Sequence, residues 1–419
     1  MRLLHTSDWH LGHTLKEVTR EYEHHAFLAW LVEQIRLEVP DVMIITGDVF
    51  DSATPPASAE RMWFELLATA RRAQPAMDIV AIAGNHDSPA RLGAAASVLR
   101  ELGVFVVGSL PRGPDGGLDF DRILIPVANG RGLVAAVPFV RPIDVGDGGD
   151  DPLAVIHAEV VAEAERRRTA GQALIVMGHL YVAGADPSYL SERRISIGGQ
   201  ESASLRMFPP AIDYVALGHM HRAQRVGRES IRYAGAPIAL ALDEAGYHHQ
   251  IAIVEFAEGR LANVRTTRVP QTIEIVRIPA RGAASLDDAL DALAALPPRR
   301  EDEDFTRPYL DLMIALDRPE PRLRTMIEQA LEGKRARLVQ MRIERTGDGA
   351  TLGDRVAVKR LAELDPREVF TQLWARDHAD PPSAAVIGAF ERLLAEVRGD
   401  LADPAKPEAD TPQLRLGGV

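Results

Sequence analysis

The nine residues DYVALGHMH, Asp213 to His221, place two histidines at the end of a short apolar run. Tyr214 to Leu217 have the apolar character of a buried strand, and Gly218 ends the run. Residues two apart in extended backbone project to the same side, so His219 and His221 can converge on one bound group, such as a metal ion. The alternative is that both histidines cap a strand and face solvent, as paired histidines at loop starts often do.

The same construction, an apolar run that ends in polar side chains, occurs four more times. The runs are RLLHTSDWH, DVMIITGDVFD, DIVAIAGNHD and ALIVMGHL. They end in Asp8, His10, Asp48, Asp51, Asn85, His86, Asp87 and His179. One such motif alone is weak, because similar polar clusters form ordinary turns. Five in order, each closing an apolar run, predict a shared site.

The segments between the first runs predict the elements that position these side chains. HHAFLAWLVEQIRL and AERMWFELLATARRA have apolar residues at helical spacing. Alternation of unbroken apolar strands with helices predicts a layered α/β fold around a buried sheet. Functional groups in such folds gather where strands end at their carboxyl edge, so we expect all five motifs on one rim.

The converging side chains offer imidazole nitrogens and oxygens, and no sulfur. This donor set suits two divalent transition ions of the manganese or iron type, with a carboxylate bridging them. Without a cation, so many inward polar groups would be poorly paired. The predicted ligands are Asp8, His10, Asp48, Asn85, His179, His219 and His221.

Composition limits the remaining possibilities. The 419 residues predict two or three domains, and the absence of cysteine excludes disulfides, thiolate metal sites and a cysteine nucleophile. The start MRLLHTSDWH has no signal-peptide core, and no run approaches the length of a membrane span, so we expect a soluble, cytoplasmic protein. A formal net charge of -12 argues against binding nucleic acid through bulk positive charge.

As an ordered set, the motifs resemble the calcineurin-like metallophosphoesterase superfamily. The stretches MRLLHTSDWHLG, GDVFD, AGNHDS, VPFVRP, ALGHMHRAQ, RYAGAPIALALDE and LAELDPREVF also resemble the SbcD family of bacterial nuclease subunits. The resemblance covers nearly the whole chain. It implies a layered β-sandwich flanked by helices, followed by a small α/β capping domain and a C-terminal helical hairpin.

The resemblance also implies residue roles. One metal is expected on Asp8, His10, Asp48 and His221, and the second on Asp48, Asn85, His179 and His219, with Mn²⁺ as the expected ion. His86 matches the catalytic histidine, and Asp87 stands where a carboxylate orients it. Asp51 stands where archaeal and eukaryotic relatives often have a histidine, so no role is transferred to it.

The chemistry itself supports these roles. Two cations about 3.5 to 4 Å apart can hold a phosphodiester oxygen and lower the pKa of an attacking water. The leaving alkoxide needs an acid, and His86 is the predicted general acid. The alternative for His86 is a turn histidine bonded to backbone.

The character of the chain changes after residue 270. Residues 1–270 are the predicted nuclease domain, and residues 271–345 are the predicted capping domain. The pattern of 271–345 predicts the order strand, helix, strand, helix, strand. A linker (346–358), a helical docking segment (359–400) and a disordered tail (401–419) are expected to follow. The hairpin's apolar stripes are either buried in this chain or dock onto a partner. The stripe residues selected as docking candidates are Phe370, Trp374, Phe390 and Leu393.

Other residues have weaker signals. Arg141, Arg193 and Arg194 are candidate DNA contacts, although exposed arginines usually only solubilise a protein. His5 is a candidate for orienting a metal ligand, whereas His13, His24 and His25 are expected on surface or helix faces.

The resulting hypothesis is a metal-dependent nuclease subunit. The resemblance implies double-strand 3'-5' exonuclease and single-strand or hairpin endonuclease activity, and an SbcC-type, SMC-like ATPase as partner of a homodimer within a heterotetramer. Two alternatives stay open: a two-metal phosphoesterase acting on nucleotides or other small phosphodiesters, and a non-catalytic scaffold that retains the fold. The metal site alone does not choose the substrate.

Overall fold

Each of the five apolar runs forms a strand in the computed structural model, which describes residues 1–145, 151–188, 202–300, 305–345, 366–378 and 380–397. The first elements alternate strand and helix, as predicted. They are β1 (Arg2–Thr6), β2 (Thr14–Leu15), β3 (Val18–Thr19), α1 (Glu21–Glu38), β4 (Val42–Thr46), α2 (Ala57–Ala73), β5 (Asp78–Ile82), α3 (Pro89–Gly93), α4 (Ala96–Arg100) and β6 (Val104–Val107).

The second part of the predicted nuclease domain adds further strands around one long helix. Its elements are α5 (Phe120–Ile123), β7 (Leu124–Val127), β8 (Gly132–Ala136), α6 (Pro142–Val145), α7 (Pro152–Arg167), β9 (Ala173–His179), β10 (Tyr214–Gly218), β11 (Gln224–Val226), β12 (Arg228–Tyr233), β13 (Gln250–Ala257) and β14 (Arg260–Arg268). Short 3₁₀ turns lie at Leu205–Met207 and Leu242–Gly246.

These strands form two sheets that pack face to face. One sheet has the order β14-β13-β1-β4-β5-β6, and the other has the order β11-β12-β10-β9-β8-β7. Apolar side chains of both sheets, including Leu3, Ile44 and Ile175, fill the space between them. A second core packs α1 and α2 on the first sheet, and a third packs α7 on the second. The predicted β-sandwich flanked by helices is therefore confirmed.

The motif strands are divided between the two sheets of the sandwich, a division that the apolar runs alone did not specify. β1, β4 and β5 run parallel in the first sheet, whereas β9 and β10 run parallel in the second. β4 lies next to both β9 and β10 across the sandwich. The carboxyl ends of all five strands therefore meet at one edge of the two layers.

Residues 271–345, the predicted capping domain, have the predicted order of elements. They are β15 (Ile275–Ile278), α8 (Leu286–Ala294), β16 (Tyr309–Leu316), α9 (Leu323–Leu331) and β17 (Arg337–Arg345). The three strands form a parallel sheet in the order β15-β16-β17, with α8 and α9 packed on it.

The C-terminal hairpin consists of α10 (Pro366–Asp377) and α11 (Ala384–Val397). Phe370 stacks on Phe390 with ring centroids 4.3 Å apart, so these two rings hold the helices together. Leu373 and Leu393 are 52% and 58% exposed. α11 also lies against α6 of the nuclease domain. The predicted linker 346–358, residues 359–365 and the predicted tail 401–419 lie outside the described residues.

No helix within the described ranges is both long enough and apolar enough to cross a membrane.

His157 on α7 is a buried histidine that the fold does not pair. Among the described residues, neither ring nitrogen has a hydrogen-bond partner, and the ring packs edge-on against Phe208. Burial lowers the pKa of His157 to about 4, compared with 6.5 for an ordinary histidine. Between these values the unfolded chain takes up a proton that the folded chain does not, so stability falls as the pH drops through this window.

We therefore expect His157→Leu to stabilise the fold, and more so in acid. Removing the unpaired ring should raise the free energy of unfolding by about 1–2 kcal/mol at pH 7 and by roughly a further 2 kcal/mol at pH 5. Urea denaturation at both pH values measures this, with the exposed His25→Leu as control. An equal effect of His157→Leu at the two pH values would contradict the assignment.

Candidate metal centre

Several predicted ligands have unusual backbone geometry where their strands end. Asp8, His10, Asp48 and His219 have φ values of +52°, +47°, +49° and +98°. Such left-handed conformations are uncommon for residues other than glycine and cluster at functional sites. They turn the chain sharply at the strand ends, where the ligand side chains meet.

Two glycines let the loops approach each other closely. A Cβ atom at Gly218 would lie 1.8 Å from the carbonyl oxygen of Thr46, and one at Gly84 would lie 2.1 Å from Oδ1 of Asp48. No side chain fits at these distances. Gly218 therefore allows the end of β10 in one sheet to approach β4 in the other, and Gly84 allows two loops of the first sheet to meet.

The first group of ligands combines residues from both sheets. The ligand atoms of Asp8, His10 and His221 lie within 4.8 Å of one another, and all three residues are buried. Oδ2 of Asp8 and Nε2 of His10 are buried without a hydrogen-bond partner among the described residues. Burying such unpaired polar atoms costs folding free energy unless something binds them. A carboxylate oxygen beside imidazole nitrogens is a donor set that fits a divalent cation.

The second group lies beside the first. The ligand atoms of Asp48, His179 and His219 also lie within 4.8 Å of one another. Oδ1 of Asn85 is 2.9 Å from Nε2 of His179 and 3.0 Å from Nδ1 of His219. The four residues predicted for a second metal are therefore brought together.

Asp48 lies between the two groups. Its Oδ2 is 3.5 Å from Nε2 of His10 and 3.3 Å from Nε2 of His179. Its Oδ1 accepts the backbone N–H of His86 at 2.9 Å. Because one carboxylate oxygen faces ligands of both groups, the residue has the position that a bridging ligand needs.

The electrostatics of the buried site favour cation binding. Burial lowers the pKa of His10 to about 4 and that of His219 to about 3, so both rings are neutral near pH 7. Burial raises the pKa of Asp8 to about 6. Burial opposes the charge of His179, but the Asp48 carboxylate outweighs it and raises the pKa of His179 to about 9. A cation bound here would displace that proton.

Acceptors behind the ligands fix the orientation of the histidine rings. Nδ1 of His10 donates to Asp51 at 3.2 Å, and Nδ1 of His221 donates to Glu244 at 2.8 Å. Nδ1 of His179 donates to the carbonyl of Thr46 at 2.8 Å. Such partners hold the other ring nitrogen toward a metal. The motifs assigned no role to Asp51, and no sequence signal pointed to Glu244.

His86 is held differently from the expectation. Its Nδ1 donates to the backbone carbonyl of Asp51 at 2.8 Å. The carboxylate of Asp87 instead accepts the backbone N–H groups of Phe50 and Gly84, both at 2.8 Å, and of Val49 at 3.2 Å. The orienting role predicted for Asp87 would therefore act through the loop backbone, because its carboxylate accepts these amides. Asp87 fixes the loops that carry Asp48 and His86.

The remaining candidates have mixed outcomes. Arg141 lies beside this loop, where its guanidinium donates to the carbonyl of Asp87 at 3.1 Å. Arg193 and Arg194 lie outside the described residues. The two ring nitrogens of His5 bond Tyr214 and Thr46 inside the core. His24, expected on a surface or helix face, lies on the buried face of α1 and bonds the carbonyl of Trp9 at 3.0 Å.

Two family descriptions match this chain. Residues 1–223 match the calcineurin-like phosphoesterases. Residues 269–378 match a domain described as the type 5 capsule protein repressor C-terminal domain.

Curated relatives share most of their length with this chain. The SbcD subunit of the SbcCD nuclease from Rhodobacter capsulatus is 41% identical over 361 residues, which are 82% of this chain and 88% of the relative. The protein of the same name from Escherichia coli K12 is 32% identical, covering 91% and 94%. That of Bacillus subtilis is 35% identical, covering 62% and 68%. The chain therefore belongs to the calcineurin-like phosphoesterases and, within them, to the SbcD family of nuclease subunits.

Proposed function

We propose that this chain is the metal-dependent nuclease subunit of an SbcCD-type complex, hydrolysing DNA phosphodiesters together with an SbcC-type, SMC-like ATPase. The position of Asp48 carries the proposal, because its Oδ2 faces His10 at 3.5 Å and His179 at 3.3 Å. The names of the relatives support the substrate and the partner. The proposed activities are exonuclease action on duplex ends with 3'-5' polarity, and endonuclease action on hairpins and single strands.

The proposed cofactors are two Mn²⁺ ions. Asp8, His10 and His221 would hold one, Asn85, His179 and His219 the other, and Asp48 both. The mixture of nitrogen and oxygen donors without sulfur supports a transition ion of this type. When bound, two such cations supply Lewis-acid activation of the phosphodiester and of the attacking water.

The residues of the chain have separate tasks in hydrolysis. Asp48 sets the separation of the two ligand groups. His86, whose Nδ1–H donates to the carbonyl of Asp51, would protonate the leaving oxygen from Nε2 as the doubly protonated imidazolium and be left as the neutral ring with its proton on Nδ1. Asp87 keeps the His86 loop in place through three backbone amides. Arg141 adds positive charge beside that loop and is proposed to contact a DNA phosphate, as are Arg193 and Arg194.

The experiment that tests this function compares two substrates. Purified chain is incubated with hairpin DNA and with a nitrophenyl phosphodiester, with and without Mn²⁺. Metal-dependent cleavage of both is the expected result. Cleavage of nucleotides or the small diester with none of DNA, even with the ATPase present, would favour a small-molecule phosphoesterase. Failure to hydrolyse either substrate would favour a non-catalytic scaffold.

The partner and the assembly extend the proposal. We propose that the ATPase binds α10 and α11, that two copies form a homodimer within a heterotetramer, and that the complex acts on DNA in the cytoplasm. Phe370 and Phe390 are used within the hairpin, so they support its shape. The exposed Leu373 and Leu393 are the apolar side chains offered to a partner, with Trp374 beside them.

We expect the double variant Leu373→Glu and Leu393→Glu to lose co-purification with the ATPase and ATP-stimulated cleavage of duplex ends. Mn²⁺-dependent hydrolysis of a small diester should stay within about twofold, because surface substitutions rarely unfold a protein. A chain truncated to residues 1–345 should behave in the same way. Leu37→Glu, at a leucine 72% exposed on α1, is the control. Retained ATPase binding by the truncated chain would contradict the docking assignment.

A further inference from the structure

A continuous line of buried hydrogen bonds joins the capping domain to the nuclease domain. The hydroxyl of Tyr309, on β16, donates to Oε2 of Glu23 at 2.7 Å. Arg20 donates to both oxygens of the same carboxylate, with its NH2 group 2.8 Å from Oε1. The Arg20 guanidinium also lies over the Tyr309 ring, 5.2 Å from its centroid. Tyr309 is thereby fixed against the first helix of the nuclease domain.

The line continues through one peptide group toward the metal centre. The carbonyl of Ala239 accepts NH1 of Arg20 at 2.7 Å. The N–H on the other side of the same peptide bond, that of Leu240, donates to Oε2 of Glu244 at 2.7 Å. A peptide group is planar and rigid, so a shift of Arg20 moves the N–H that holds Glu244. The second oxygen of Glu244 accepts Nδ1–H of His221 at 2.8 Å.

The residues of this line are buried, and burial strengthens the hydrogen bonds between them. Arg20 and Tyr309 are each 1% exposed, Glu23 is 3%, His221 is 4% and Glu244 is fully buried. Hydrogen bonds in such surroundings are strong and polarise one another. Every donor faces an acceptor along the line. Because Nδ1 of His221 carries the proton, its Nε2 holds the lone pair that a metal requires.

We propose that Glu244 is a positioning residue for His221, and that the capping domain sets its position through Tyr309, Glu23, Arg20 and the 239–240 peptide. Docking of the capping domain then strengthens the metal site that contains His221. The proposal deepens the function above and rests on it for the role of His221 as a metal ligand. Arg277 of the capping domain adds a contact to the same segment, at the carbonyl of Leu242.

The test measures Mn²⁺ affinity of the metal-free full-length chain by calorimetry and by electron paramagnetic resonance. Glu244→Gln turns an NH₂ or a neutral oxygen toward His221, and loss of such a partner lowers metal affinity about 10- to 100-fold. Tyr309→Phe removes only the hydroxyl that holds Glu23, and we expect at least about a threefold loss. The Mn²⁺ affinity should fall at the site that contains His221. The affinity of the site that contains His179 and His219 should be unchanged.

A matched control separates this role from a loosened capping domain. Ile327→Val removes one methyl group from the buried capping core without touching the line of hydrogen bonds. Urea denaturation of the metal-free variants reports their stability. Weaker binding in Glu244→Gln and Tyr309→Phe, with Ile327→Val like the wild type, supports the proposal.

Three results would overturn it while leaving the proposed function in place. Unchanged affinity in Glu244→Gln removes the positioning role, and unchanged affinity in Tyr309→Phe, or an equal loss in Ile327→Val, removes the link to the capping domain. In these cases the wild type still binds two ions, so the proposed function stands. A wild-type chain that binds no Mn²⁺ would overturn the proposed function and this inference together.

Discussion

Asp48→Asn is expected to remove both metals and to lower turnover at least about a thousandfold, since bound metals supply several kcal/mol of transition-state stabilisation. The side chain keeps its shape, and the remaining carbonyl can still accept the N–H of His86. The variant loses the negative charge of the carboxylate, whose Oδ2 faces His10 and His179. One substitution therefore weakens both ligand groups. Metal analysis of the purified variant and hydrolysis of a small diester measure the two effects.

Asp51→Asn provides the matched control for this prediction. It makes the same chemical change three residues along the chain, at a carboxylate that accepts from the rings of His10 and His13 and lies behind the metal ligands. We expect a smaller loss, about 10- to 100-fold, because a group behind a ligand tunes the site without forming it. Undiminished Mn²⁺-dependent hydrolysis by Asp48→Asn would remove the bridging role.

His86→Gln should lower DNA cleavage by about 10²- to 10⁴-fold while two metals stay bound, because a general acid contributes roughly this much. The neighbouring Asn85 and Asp48 are untouched. A nitrophenyl leaving group needs little protonation, so hydrolysis of the nitrophenyl diester should fall much less than DNA cleavage. The comparison of the two substrates therefore reports proton donation specifically.

His13→Gln makes the same change at a neighbouring histidine that bonds Asp51 and the carbonyl of Leu240. It should affect both substrates equally and only modestly. If His86→Gln reduced the cleavage of both substrates by the same factor, His86 would be a structural turn residue, which is the alternative that its bond to the backbone leaves open.

Much of the metal centre could be predicted because its signal is local. Each ligand follows an apolar run directly, and the carboxyl ends of strands are where a layered fold collects such residues. The division into two sheets could not be read in the same way. It depends on β9 pairing with β8 and β10 in the second sheet, and on β13 returning to pair with β1 in the first. No local pattern specifies a partner so distant in sequence.

The supporting residues were the least predictable part. Glu244 stands in the unremarkable stretch LDEAG, and only the folded chain brings it 2.8 Å from His221. Asp87 adjoins His86 in sequence, but the loop directs its carboxylate to backbone amides. In the hairpin, an apolar stripe indicates which face is buried without specifying the neighbour, and only the folded chain shows that Phe370 stacks on Phe390.

A titration of the metal-free chain with Mn²⁺, followed by cleavage of hairpin DNA at each step, tests the two-metal account most directly. Because Asp48 faces both ligand groups, we predict that cleavage stays low after the first equivalent, rises as the second binds and reaches its plateau at two ions per chain. Full cleavage at one equivalent, or no cleavage with two ions bound, would contradict the account.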